Sequence, residues 1–332
     1  MYAPIFYLDS EEGLWIGGQF WDGRGTGWIL GDPLADQALG PFLAGVEMAN
    51  PSKYEVVRDV FASDYADLFM SVIGFDPLSN IDAAYDQIGL AIAAFERTEM
   101  FAPFTSKYDH YLQQCLVAGG DMDDCAKGVG FTAELVGTEI FSKKEWAGLQ
   151  LFMNDVNDND GVLDPGEGAV CVACHVADWT DASVYGRPVQ VPDWAPEGMV
   201  PPVFTDFTYD NLGLPKSEDK LLAGASDDLG LGAELMKAGY PLSVYEGENG
   251  KFKVMTLRNI AQTGPYGHNG YFGKLEEIIH FYNTRDVAAE GWDVSEYADT
   301  VNFDELGNLG LSDKDEDALV KFMKTLTDGW VP

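Results

Sequence analysis

The sequence predicts a mainly α chain of two domains, and three observations carry that prediction. Apolar residues recur at helical spacing in four segments, strand signals are few, and a long Pro-, Gly- and Asp-rich stretch runs from His175 to about Gly230. The length of 332 residues agrees with two domains of roughly 150 residues each. The first helical segment is "NIDAAYDQIGLAIAAFERT", with Asn80 and Asp82 near its start as cap candidates. The second, "SKKEWAGLQLFMND", opens on Ser142 with Glu145 three residues later, a capping-box arrangement. "GKLEEIIHFYN" from Gly273 and "SDKDEDALVKFMKTL" from Ser312 are the third and fourth amphipathic stretches. A boundary is expected within 130–141, just before the Ser142 helix, giving domains 1–135 and 136–332. An irregular stretch as long as that after His175 is uncommon in a compact domain unless it wraps something.

Hydrophobic residues make up 46% of the chain and aromatics 13%, enough for a packed core. No apolar run is long enough to span a bilayer. With 20 basic against 55 acidic residues the formal charge is -35, which repels nucleic acid and anionic membrane. Such a surface steers basic protein partners in a salt-sensitive way; adaptation to salt, or simple solubility, accounts for the charge equally well.

The chemistry centres on "CVACHVADWT". Cys171, Cys174 and His175 form a CxxCH, the attachment signature of a c-type haem, with the thiols taking the vinyl groups and the imidazole lying under the iron. Covalent haem attachment belongs to oxidising, extracytoplasmic compartments such as the periplasm. No signal peptide is visible after Met1, so a signal is expected to have been removed or to lie outside this chain. The other two cysteines, Cys115 and Cys125, flank a Gly/Asp-rich loop, and in an oxidising compartment they are expected to form a structural disulfide; two buried free thiols are the alternative. In "NDVNDNDGVLDPGEG", Asp158, Asp160, Gly161 and Glu167 fit four positions of an EF-hand calcium loop. The first position falls on Val156, which cannot ligate, so a solvated acidic turn is the preferred reading and a calcium site the alternative.

Ordered blocks along nearly the whole chain resemble the bacterial diheme cytochrome c peroxidase and MauG family. They are "QFWDGR" from Gln19, "QALGPFLAGVEM" from Gln37, "AIAAFERT" from Ala91, "KKEWAGLQLF" from Lys143, "CVACH", "FKVMTLRNIAQTGPYGHNGYFGKLEEIIHFYN" from Phe252, and "LSDKDEDALVKFMKTLT". The resemblance implies two cytochrome c-like domains with long haem-wrapping loops, each domain carrying one haem. Only the C-terminal CxxCH is present here, so one covalent haem c is expected in this chain and a second on a segment upstream of Met1, with loss of the first haem as the alternative. The resemblance assigns acid–base catalysis to Glu47, pocket-shaping roles to Gln37 and Pro41, and electron relay between haems to Trp21. Without it, Glu47 reads as a surface residue and Trp21 as a core aromatic. Asp22 and Arg24 are expected to lock the turn beside Trp21. The carbonyls of Thr263 and Pro265 match an interdomain calcium site, and His268 matches a structural position near the C-terminal haem.

The far face of that haem has several candidate ligands: the other histidines, methionines and Tyr282. Leu275, Ile278, Ile279 and Tyr282 form one stripe of their helix, so Tyr282 faces the core and His280 points away. The resemblance puts Tyr282 at the axial position, where peroxidases of the family have Met and MauG-like members have Tyr. A core Tyr packed beside the haem without ligating it is the alternative. A phenolate stabilises ferric and higher iron and lowers the potential relative to a thioether. Three functions follow as expectations: a peroxidase that reduces hydrogen peroxide with electrons from a small donor protein (a cytochrome c or cupredoxin, basic in charge), a MauG-like oxidase acting on a partner protein, or a non-enzymatic electron carrier. A homodimer is among the expected assemblies.

Overall fold

Several of the helices start where a side chain caps free N–H groups. The computed structural model describes residues 2–217 and 225–332. In it, Asp32 accepts from the Leu34 N–H at 3.0 Å and opens α1, Pro33–Leu43. Ser52 caps α2, Lys53–Phe61, and Gly74 closes α3, Ala66–Ile73, in the left-handed conformation. Asn80 caps α4, Ile81–Glu96, by accepting from Ala83 at 3.2 Å, so of the two expected caps it is Asn80 that serves. The short strands β1, Tyr7–Asp9, and β2, Leu14–Ile16, pair antiparallel.

These elements make up one of two compact units, residues 1–102 with 187–190. Its core comprises Val56, Val57, Ala84, Tyr85 and Ile88, with a smaller cluster of Leu34, Ala35 and Ala93. Helix α1 can lie directly on α4 because Gly89 has no side chain. A Cβ there would fall 2.8 Å from Leu39 Cγ and 2.9 Å from the Ala35 carbonyl.

The second unit holds residues 103–186 and 191–332. Its helices are α5 Lys107–Val117, α6 Met122–Lys127, α7 Gly130–Ile140, α8 Lys143–Met153, α9 Gly230–Lys237, α10 Leu242–Tyr245, α11 Leu275–Thr284 and α12 Asp313–Lys324. The capping box at α8 is formed: Glu145 N–H donates to Ser142 Oγ at 3.3 Å, and Ser142 N–H to Glu145 Oε2 at 2.7 Å. Helix α8 packs on α12 at backbone contact, since a Cβ at Gly148 would sit 2.0 Å from the Ala318 carbonyl oxygen. Two-stranded ladders join β3, Thr180–Asp181, to β4, Met199–Val200, and β5, Tyr209–Asp210, to β6, Phe252–Lys253.

The division between units falls at Ala102/Pro103, earlier than the expected boundary at 135/136. The physical reason is the buried face of α5. Tyr108, Tyr111, Leu112 and Cys115 are all fully buried in the same core as Leu149, Phe152, Phe204 and Phe322. Cys115 and Cys125 form the expected disulfide, which ties α5 to α6. Among the described residues no helix is long and apolar enough to cross a membrane.

Candidate haem site

The CxxCH is delivered from the end of α8. Ala169 N–H donates to the Leu151 carbonyl at 2.8 Å and Val170 N–H to that of Asn154 at 3.1 Å, turning the chain back against the helix. Val170 takes a left-handed φ of 57°, and a single 3-10 turn over Cys171–Ala173 follows. Both thiols are free. Burial raises the Cys171 thiol to about 12 and pushes Cys174 up as well, so both stay protonated in the folded chain.

His175 has one ring nitrogen occupied. Its Nδ1 lies 3.0 Å from the Phe204 carbonyl, which can only accept, so Nδ1 carries the proton and Nε2 keeps its lone pair. Burial depresses the imidazole to about 4, against smaller opposing effects from the Phe204 and Met255 backbones. A neutral imidazole is the state that ligates a metal, and a carbonyl behind it is the usual outer partner.

Tyr282 is carried toward this motif by α11. Burial first, then the nearby Cys174, Cys171 and Asp210, push its phenol far above the ordinary range, with Arg285 opposing. Its electrostatic neighbours therefore include the two haem-attachment thiols. The donor set fits a c-type haem: two free thiols, a neutral imidazole fixed from behind, and a phenol packed against the same core as Cys171. Leu275 and Ile279 of the expected stripe are buried, and the fully buried Phe281 widens it. His280 turns outward to Glu316 at 2.9 Å. His268 is buried in a pair with Glu296 at 3.3 Å and stacks on Phe252 with ring centres 3.5 Å apart.

Sequence reasoning missed the acidic groups beside Cys174. The Cys174 sulfur and carboxylate oxygens of Asp210 and Glu305 all lie within 4.8 Å of one another, and Asn302 donates to Asp210 at 2.7 Å and to Glu305 at 2.8 Å. Burial raises the Asp206 and Asp210 carboxyls. These residues share no local motif; only the fold gathers them. In the acidic loop 154–168 carboxylates accept from the loop's own backbone. Glu167 accepts from Asp158 N–H at 3.2 Å and from Asp164 N–H at 2.9 Å, and Asp160 accepts from Val162 N–H at 2.8 Å. Thr263 and Pro265 lie on an exposed turn, and among the described residues neither carbonyl accepts a backbone hydrogen bond.

In the first unit, Gln37 and Pro41 stand one turn apart on α1 and so share a face. Glu47 follows in a turn closed by Met48 N–H to the Pro41 carbonyl at 3.2 Å. Its side chain is exposed, between Val46 and Met48, which are 98% and 59% exposed. Trp21 is 40% exposed, outside the unit's core. Asp22 and Arg24 lock the neighbouring turn as expected, with Arg24 Nη1 2.8 Å from Asp22 Oδ2.

A family profile for di-haem cytochrome c peroxidase matches residues 4–115. The methylamine utilization protein MauG of Paracoccus denitrificans is 32% identical over 98% of this chain and 71% of its own length. Its counterpart from Methylophilus methylotrophus is 27% identical over 95% of this chain and 65% of its own. The crystal structure of the diheme peroxidase BthA from Burkholderia thailandensis shares the fold, with a TM-score of 0.66 at 24% identity, covering 95% of this chain and 67% of that one. The chain belongs to the diheme cytochrome c peroxidase and MauG family of haem oxidoreductases.

Proposed function

We propose that this chain is the greater part of an extracytoplasmic c-type haem peroxidase that takes electrons from a protein and delivers them to hydrogen peroxide. The observation that carries the reading is the convergence of Cys171, Cys174, His175 and Tyr282 in the second unit. The haem, when bound, supplies the redox change. Cys171 and Cys174 hold it covalently. His175, with its ring fixed by the Phe204 carbonyl, would be a ligand to the iron through Nε2. Tyr282 would be a further ligand to the iron, whose positive charge would favour loss of the phenol proton. The disulfide between Cys115 and Cys125 supports an oxidising compartment.

Peroxide chemistry is assigned to a second haem, which would be served by residues of the first unit. Glu47 would serve there as the acid–base group that moves a proton, and Gln37 and Pro41 would shape the space beside it. Trp21 relays electrons between the haems. A calcium ion held in part by the Thr263 and Pro265 carbonyls is also proposed, on the exposed turn they share. The net charge of -35 favours a basic electron donor.

Tyr282 favours a second reading, in which the oxidised partner is itself the substrate, as for a MauG-like oxidase. An anionic ligand lowers the potential of the haem and makes it a poor acceptor from ordinary high-potential donors. One experiment tests the peroxidase reading: peroxide turnover by full-length protein with a reduced basic cytochrome c as donor, for the wild type and Glu47→Gln. A loss of roughly 100-fold or more with unchanged haem spectra is expected for a positioned acid–base group. An unchanged rate would return Glu47 to the surface. Two covalent haems per chain are expected in the full-length product; one alone would favour an electron carrier.

A further inference from the structure

Phe204 is a fully buried phenylalanine held at a φ of 55°, in the left-handed region that a bulky residue rarely adopts. Its carbonyl is the acceptor for His175 Nδ1. A backbone in that conformation persists only when its surroundings over-determine it, and here they do. Arg258 donates to the Pro202 carbonyl from Nε at 2.8 Å and from Nη2 at 2.6 Å. Thr256 Oγ1 donates to the Val203 carbonyl at 2.5 Å, and Thr205 Oγ1 to that of Val254 at 2.6 Å. Arg258 is itself fixed. Its Nη1 lies 2.7 and 2.8 Å from the two oxygens of Asp109, and its guanidinium stands 5.0, 5.7 and 5.5 Å from the ring centres of Phe104, Tyr108 and Phe204. One side chain thus grips the start of the 202–205 segment and stacks against the ring of the residue that touches His175.

We propose that Arg258 is a positioning residue for the C-terminal haem: anchored on Asp109, it holds the strained 202–205 segment so that the Phe204 carbonyl stays directed at His175, and through that hydrogen bond it keeps the iron potential low. The inference rests on His175 being the haem ligand. A strong Nδ1–H bond to a carbonyl raises the basicity of the ligating Nε2 and favours ferric iron. When the carbonyl can drift, the imidazole donates less and the potential rises.

Lysine at 258 keeps a positive charge for Asp109 but cannot donate twice to Pro202 or stack as a plane. Thr256→Val removes the grip on Val203 at nearly constant shape and leaves the Arg258–Asp109 pair intact. The test measures the midpoint potential of the C-terminal haem, with thermal unfolding, in haem-loaded wild type, Arg258→Lys and Thr256→Val. Both variants are expected to move the ferric/ferrous equilibrium toward ferrous, Arg258→Lys by about tenfold, equal to 59 mV for a one-electron couple, and Thr256→Val by less. Folded variants with wild-type potential would overturn the proposal. If Arg258→Lys does not fold, Thr256→Val decides alone, and a wild-type potential there overturns it. His175→Ala separates this from the underlying assignment: an unaltered spectrum in that variant removes His175 as ligand, whereas a lost axial ligand with unmoved potentials in the other two removes only the clamp.

Discussion

Asp109→Asn tests the buried charge pair that organises the second unit. Asp109 is 1% exposed at its side chain and Arg258 11%. The carboxylate takes both bonds from Arg258 and also accepts from the Ser106 N–H at 2.9 Å, at the start of α5. Asparagine keeps the shape and removes the charge, leaving the guanidinium buried without its counter-ion. Breaking one side of such a pair costs about 3–5 kcal/mol. For a unit of this size each kcal/mol is worth about 2–4 °C, so the transition should fall by roughly 12 °C. Calorimetry on the haem-loaded protein reads this directly. The exposed pair of Lys324 with Glu276, at 2.8 Å and 44% and 56% side-chain exposure, gives the contrast. Glu276→Gln should cost about 1 kcal/mol at most. Equal small shifts in the two variants would refute the burial argument. Adding Arg258→Met to Asp109→Asn should recover part of the loss, because it removes the stranded charge.

Tyr282→Phe should change the visible spectrum markedly and raise the haem potential, and Tyr282→Met should raise it too; an unaltered spectrum and potential in Tyr282→Phe would assign the axial ligand elsewhere. Loss of the Cys115–Cys125 bridge, which spans 10 residues, should cost roughly 2–3 kcal/mol in the loop-entropy model, and alkylation without reduction should label neither thiol in the intact mass. Asp32 supplies a pH signature. Burial raises its carboxyl, but the hydrogen bond from Arg97 at 2.5 Å and the charges of Arg97 and Arg187 more than offset this, so the folded value lies below the unfolded one. The stabilisation is therefore complete above the ordinary carboxylate range and is lost as pH falls through the folded value. Denaturant titration of Asp32→Asn should show a deficit at pH 7 that shrinks below about pH 4; a pH-independent deficit would contradict the pairing.

Much of this molecule was legible locally. The capping box at Ser142 and Glu145, the cap at Asn80, the stripe that turns Tyr282 inward, the CxxCH spacing and the pairing of Cys115 with Cys125 all depend on residues within a few turns of each other. Their physics is short-range: an N–H that needs an acceptor, a 3.6-residue period, two thiols a short loop apart. The division between the units was not legible this way. The break in pattern near 135 marks only the start of a helix, whereas the units separate where α5 buries Tyr108 and Tyr111 against partners more than 200 residues away in sequence, such as Phe322.

The sequence alone determined the chemistry on offer: the covalent haem motif, the phenol on the core side of its helix, and a strongly acidic chain unsuited to nucleic acid. Only the tertiary structure decided how that chemistry is held. Which carbonyl stands behind His175, that Phe204 reaches it from a left-handed backbone, that Arg258 and Asp109 brace the segment, and that Asp210, Asn302 and Glu305 gather at Cys174 have no trace in spacing. The reason is that spacing fixes directions only within one element. A hydrogen bond between residues 29 apart, or an ion pair between residues 149 apart, exists only once separate elements have packed.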